Sequence, residues 1–141
     1  MDNIFKIEID SNPSNEKIVR QMVSAIIVDL NPTIEEICDI KTAVSEAVTN
    51  CIIHGYKNSK GKIYITTKTT DNEVTLEIVD FGVGIEDVER AREPLYTSEP
   101  EMERSGMGFT VMESFMDSVD VISEKDLGTK VVMRKLIRQN V

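Results

Sequence analysis

Apolar and polar residues alternate from Ile4 to Asp10, which predicts a strand with Phe5, Ile7 and Ile9 on one face. Asn12-Pro13-Ser14 breaks the alternation and offers an N-cap. Ile18, Val19, Met22, Val23, Ile26, Ile27 and Leu30 then recur at helical spacing. This first helix should end at Asn31-Pro32. Thr33 and Glu36 form a capping-box pair opening a second helix, with Ile37, Ile40, Val44, Ala47, Val48 and Cys51 on its apolar stripe. The helix should stop near His54, with Gly55 as its C-terminal cap. Two alternating runs, Lys62 to Thr69 and Glu73 to Asp80, flank Thr70-Asp71-Asn72 and predict a hairpin. A charged stretch from about 85 to 105 holds Pro94 and Pro100 and one short helical hint, Val88 to Ala91. So long an irregular segment is expected to be a functional lid. Gly106-Met107-Gly108 leads into a helix with Phe109, Met112, Phe115 and Met116 on one side. Val119 to Ile122 and Thr129 to Leu136 form a last hairpin around Asp126-Leu127-Gly128.

Strand, two helices, hairpin, lid, helix, hairpin is the order of a two-layer α/β sandwich. Its mixed, mostly antiparallel sheet of about five strands is expected to carry about three helices on one face. The 141 residues suit a single domain spanning 1–141.

Charge narrows the partners. With 25 acidic and 16 basic side chains the net charge is −9, which repels phosphate backbones and argues against nucleic acid. A basic protein or a metal-bridged phosphate ligand fits better. No apolar stretch reaches the ~20 residues of a membrane span, and Met1 to Asp10 has no signal-peptide core. A cytoplasmic protein without membrane contact is expected. Cys38 and Cys51 lie on one predicted helix roughly 20 Å apart, too far for a disulfide, and read as small apolar residues. With one histidine, a zinc site is disfavoured.

Three segments can carry chemistry. On the second helix Asp39, Thr42, Glu46, Thr49, Asn50 and His54 form a polar stripe. Glu46 and Asn50 are four apart and share a space. A carboxylate there can accept a proton from an attacking hydroxyl; an amide oxygen suits Mg²⁺. A solvated helix face is the plainer reading of that stripe. Asp80-Phe81-Gly82-Val83-Gly84 ends a strand. Asp80 can accept from an exocyclic amine, Gly82 lets a flat ring approach, and Gly84 permits a lid hinge. Gly106 and Gly108 clear room for phosphate at a helix start. Neither glycine pair has the third glycine of a dinucleotide fingerprint, and no Walker A sequence occurs.

Taken in order, the E-x-x-x-N helix, D-x-G-x-G strand end, lid, G-x-G helix start and Gly128-Thr129 strand start resemble the GHKL or Bergerat ATP-binding superfamily. Gyrase, a heat-shock chaperone, histidine kinases and mismatch-repair MutL share that fold. Within it, Ser45-Glu46-Ala47-Val48-Thr49-Asn50 with His54-Gly55-Tyr56, Asp80 to Ile85, and Glu103 to Phe109 are similar to the anti-sigma-factor serine kinases of spore-forming bacteria. The resemblance covers nearly the whole chain. It implies ATP/ADP and Mg²⁺ as cofactors, a sigma factor and an anti-anti-sigma protein as partners, and a homodimer. It implies Glu46 as general base, Asn50 as Mg²⁺ ligand and Asp80 as the adenine-reading carboxylate. Gly82 and Gly84 match the first glycine box, Gly106 and Gly108 the second. Thr129 matches a hydroxyl supporting the Asp80–adenine contact, and Arg104 a lid cation reaching the terminal phosphate.

His54 ends the nucleotide-binding helix with no dimerisation helix pair before it, so helix-end packing is expected of it rather than phosphoacceptance. Met102, Met107, Met112 and Met116 read as core and lid filler. The implied function is an ATP- and Mg²⁺-dependent protein-serine kinase that also sequesters a sigma factor. The alternatives are a nucleotide-sensing anti-sigma module without relevant kinase activity, and an ATPase switch, which the end of the chain soon after its last strand disfavours. Val19, Val23 and Ile27, with Ile4 and Phe5, leave a possible dimer surface; burial within the domain is the other reading of that helix.

Overall fold

A computed structural model describes residues 2–93 and 108–138. Five strands form one sheet in the order β1-β2-β3-β5-β4. They are β1 (Asn3–Asp10), β2 (Lys62–Thr70), β3 (Glu73–Asp80), β4 (Ser118–Glu124) and β5 (Gly128–Leu136). All four pairings are antiparallel, so the sheet, expected to be mostly so, is antiparallel throughout its described strands. The helices are α1 (Asn15–Ile27), α2 (Ile34–Asn50), the single turn α3 (Val88–Ala91) and α4 (Gly108–Phe115).

The alternation in β2 and β3 sends Ile63, Ile65, Val74, Leu76 and Ile78 to one face, where all are buried. Val19, Val23 and Ile27 of α1, Ile40, Val44 and Val48 of α2, and Met112 of α4 cover that face with no exposed area. Val19, Val23 and Ile27 are therefore closed inside the chain's own core, while Ile18 and Met22 of the same helix stay exposed. Ile4 and Phe5, on the edge strand β1, do remain exposed. Met116, read as filler, is buried in the same core.

Local signals act mostly as expected. Thr33 Oγ1 accepts from Glu36 N at 3.1 Å and Glu36 Oε1 accepts from Thr33 N at 2.9 Å, closing the capping box of α2. The other oxygen of Glu36 accepts from Arg138 N at 2.8 Å, tying the segment after β5 to the start of α2. Ser14 does not cap α1. The Asn12 side chain takes both the Ser14 N–H and its hydroxyl instead.

The end of α2 departs from expectation. Cys51–Gly55 continue as a turn of π-helix, closed by Tyr56 N donating to Cys51 O at 2.8 Å. Gly55 is not a left-handed cap; Lys57 and Asn58 take the positive φ angles that turn the chain away.

Candidate nucleotide site

Asp80 ends β3 in the interior of the sheet, registered against Thr129 at the start of β5. The residue is 3% exposed. Burial pushes its pKa up from the ordinary carboxylate value, while N–H groups of Gly82 and Thr129 and the thiol of Cys51 hydrogen-bond the carboxylate and oppose that rise. The Gly82 N–H lies 2.9 Å from Oδ1.

Glycines let the backbone close on this group. A Cβ at Gly55 would fall 2.8–2.9 Å from the Asp80 carboxyl atoms, and one at Gly82 only 2.0 Å from the Gly55 carbonyl oxygen. That carbonyl accepts from Val83 N at 2.9 Å. The bare Gly82 therefore admits the π-helical turn rather than a ligand ring, and Gly82 does not line the cavity described below. Gly128, at φ +109°, would place a Cβ 2.1 Å from Asp80 O. Gly84, at φ +74°, would place one 2.0 Å from Glu124 O. Both need a conformation that L side chains rarely adopt.

A cavity of about 530 Å³ opens in front of Asp80. Asn50, Cys51 and His54 line it from the end of α2, and Gly84 and Thr129 from the two strand ends. Gly108 and Phe109 line it from the first turn of α4. The Asn50 carboxamide lies against bare Gly108, 3.1 Å from where a Cβ would stand. The cavity thus joins a buried carboxylate, a carboxamide and a glycine helix start, three features far apart in sequence.

The remaining site residues are placed as follows. Glu46, one turn before Asn50, is half-buried and is not among the cavity-lining residues. Thr129 approaches Asp80 through its backbone N–H; its hydroxyl pairs with Ser123 Oγ at 2.8 Å. His54 lines the cavity from the π-helical turn. Arg104, Gly106, Met102, Met107 and the lid beyond residue 93 lie outside the described residues. The first part of the 85–105 segment holds α3 as expected, capped by Asp87, whose side chain accepts from Arg90 N at 3.1 Å.

The upper half of the polar stripe on α2 is structural. Asp39 sits 3.8 Å from Lys135 Nζ, and the Thr42 hydroxyl donates to Cys38 O at 2.8 Å. Two residues of the site escaped the sequence reading. Gly55 looked like a helix cap and Cys51 like filler, yet Gly55 packs on the Asp80 carboxyl from 25 positions away and Cys51 lines the same cavity. A glycine at a helix end that needs no left-handed cap is the one signal that could have flagged Gly55.

Comparisons with known proteins agree with this geometry. A model of the histidine kinase-like ATPase domain matches residues 9–135. The anti-sigma F factor of Clostridium perfringens is 57% identical over 136 residues, covering 96% of this chain and 97% of that protein. The chain belongs to the anti-sigma F factor family. The anti-sigma F factor of Clostridium acetobutylicum is 53% identical over 135 residues, covering 96% and 94% of the two chains.

Among solved structures, the RsbU and RsbW domains of Rv1364c from Mycobacterium tuberculosis superpose with a TM-score of 0.69 at 19% identity. The match spans 96% of this chain and 32% of that one. The catalytic domain of histidine kinase ThkA gives 0.59 at 14% identity, over 96% of each chain. These likenesses show the fold. This anti-sigma F factor family member therefore carries a GHKL ATPase domain, a nucleotide-binding fold. Among its described residues no helix is long and apolar enough to cross a membrane.

Proposed function

We propose that the protein is an ATP- and Mg²⁺-dependent protein-serine kinase of the cytoplasm, acting as one domain over 1–141, that phosphorylates a serine on an anti-anti-sigma antagonist and binds and sequesters a sigma factor. The observation that carries the nucleotide part is the cavity with buried Asp80 at one end and Asn50 against Gly108 at the other. Asp80, ionised, accepts the exocyclic amine of adenine. Asn50 offers one neutral oxygen to Mg²⁺. Among the described residues no cluster of three or more His, Cys, Asp and Glu could hold a metal ion. That suits a cation held by one side chain together with phosphates and water. Gly108, with Gly106 and Arg104 from the segment before it, is assigned to the phosphates.

When bound, Mg²⁺-ATP supplies the phosphoryl group and the neutralising charge. The chain's own work is binding, orientation and proton transfer. Glu46 orients the incoming serine hydroxyl and takes its proton, and the lid excludes water so that transfer outruns hydrolysis. Self-association through the exposed end of β1, at Ile4 and Phe5, belongs to the same reading.

A second reading is a nucleotide-sensing sigma-binding module without transfer. Glu46→Gln separates the two. In the kinase reading it binds ATP and sigma factor as the wild type does, but phosphorylates the antagonist at least ~10²-fold more slowly. Single-turnover transfer from labelled ATP, measured beside equilibrium binding on the same preparation, gives the answer. Equal transfer rates would remove Glu46 from the mechanism. No transfer by the wild type would leave the binding module.

A further inference from the structure

Asp80 is the last residue of β3 to pair with β2, opposite Ile63. One step further the Tyr56 hydroxyl stands between the strands, accepting from Phe81 N at 2.9 Å and donating to the Lys62 carbonyl. A phenol can do both at once. Those two backbone groups are the ones that would form the next rung if the Ile63–Asp80 register went on to Lys62 and Phe81. The half-buried Tyr56 ring lies on bare Gly61, where a Cβ would fall 2.4–2.5 Å from its carbons. Beyond Phe81, Gly82 N donates to Asp80 Oδ1 and Val83 N to the Gly55 carbonyl, each at 2.9 Å. Three successive N–H groups after Asp80 are thus fixed, two of them by the adjacent residues Gly55 and Tyr56.

We propose that Tyr56 is a positioning residue for base recognition: by holding Phe81 off Lys62 it ends the ladder at Asp80 and turns the Gly82 N–H onto the carboxylate. The proposal rests on the nucleotide reading of the site. Tyr56 itself is not among the residues lining the cavity, so it acts through Asp80 and not on a ligand. With Oδ1 engaged by Gly82 N, the acceptor that Asp80 turns to the cavity keeps one direction. A 6-amino purine presents a donor to that acceptor, whereas a 6-oxo purine presents a second acceptor, so the orientation of Asp80 governs selectivity as well as affinity. Without the hydroxyl, Phe81 N and the Lys62 carbonyl are free to bond directly. The ladder then closes by one residue and draws Gly82 away from Oδ1.

The test uses the full chain and Tyr56→Phe, which removes the hydroxyl and keeps the ring on Gly61. Calorimetry gives the ADP and GDP affinities of parent and variant, with thermal melts as the check of folding. Tyr56→Phe should bind ADP about two- to tenfold more weakly, the worth of one modest hydrogen bond. GDP, which has no 6-amino donor, should change by less than about twofold, so discrimination falls. A residue that merely fastened the strand ends would weaken both nucleotides alike. Amide hydrogen exchange of the nucleotide-free protein is an independent readout. Gly82 should lose protection in Tyr56→Phe, whereas Ile65 and Leu76, in the middle of β2 and β3, should keep theirs.

Parent-like ADP affinity, equal weakening of ADP and GDP, or unchanged protection of Gly82 would each overturn the proposal. Should Tyr56→Phe melt below the assay temperature, Gly61→Ala displaces the same ring from its other side. It should show the same loss of discrimination, and parent-like discrimination there overturns the proposal as well. Asp80→Asn keeps the two readings apart. If ADP binding needs Asp80 but not Tyr56, the positioning role alone fails. If Asp80→Asn binds ADP as the parent does, Asp80 reads no base, and the nucleotide reading of that residue falls with the proposal.

Discussion

Asp80 carries its charge against the cost of burial, and that has two opposite consequences for pH. In the free protein its raised pKa means that the folded state holds more protons than the unfolded one between the ordinary and the raised value. The contribution of Asp80 to stability therefore improves as pH falls through that window. Base recognition needs the ionised form, so ADP affinity should fall over the same window, above the range of an ordinary carboxylate. Asp80→Asn should remove that acid limb. It should also weaken ADP binding at neutral pH by at least about tenfold, since the amide must turn its NH₂ either toward the base amine or toward the backbone N–H donors at the carboxylate, and each is a clash of donors. Calorimetry across pH on wild type and mutant checks both parts; an unchanged acid limb in the mutant would assign it to another group. The candidate roles of Asp80, Asn50, Gly108 and Thr129 could be named from motifs because each belongs to a short local pattern of the sequence. Cys51 and Gly55 could not, because what they touch is decided by how the end of α2 meets the end of β3.

At the scale of elements, the start of α2 is held by one carboxylate doing two tasks. Glu36 accepts from Thr33 N within the capping box and from Arg138 N beyond β5. Burial alone would raise its pKa, but those N–H groups and the Thr33 hydroxyl outweigh it and the value is lowered. Its contribution to stability is therefore present above the ordinary carboxylate value and lost as pH falls through the lowered one. Glu36→Ala should cost about 1–2 kcal/mol in denaturant unfolding at neutral pH, with the difference from wild type shrinking in acid.

The capping box, the helical stripes and the alternation of β2 and β3 were legible because each is a local pattern. Two features were not. The order that inserts β5 between β3 and β4 depends on long-range pairing, which no local period encodes. The π-helical turn at Cys51–Gly55 replaces the expected glycine cap because Gly55 packs on Asp80 and its carbonyl is taken by Val83. A contact across 25 or more residues there overrides the local preference for a left-handed glycine.

For the whole molecule, the nucleotide is expected to bridge the sheet and the helix ends that line the cavity. One wall of the cavity belongs to the sheet through Asp80 and Thr129, another to the ends of α2 and α4 through Asn50 and Gly108. A ligand touching all of them stabilises the folded state by mass action, about 2.7 kcal/mol at a hundredfold excess over its dissociation constant. Mg²⁺ should add to that increment through Asn50, as ADP alone meets the acidic chain with its phosphate charge uncompensated. Asn50→Ala offers a way to isolate this term. The side chain is half-buried against Gly108, so the nucleotide-free protein should change by less than about 1 kcal/mol. Thermal melts of wild type should then rise with ADP and rise further with ADP and Mg²⁺, whereas Asn50→Ala should keep the free melting temperature and lose the second rise. A mutant that retains the Mg²⁺-dependent rise would mean the cation is held by other ligands. A mutant that melts early without nucleotide would mean the Asn50–Gly108 contact joins α2 to α4 structurally, and the metal role would need another residue.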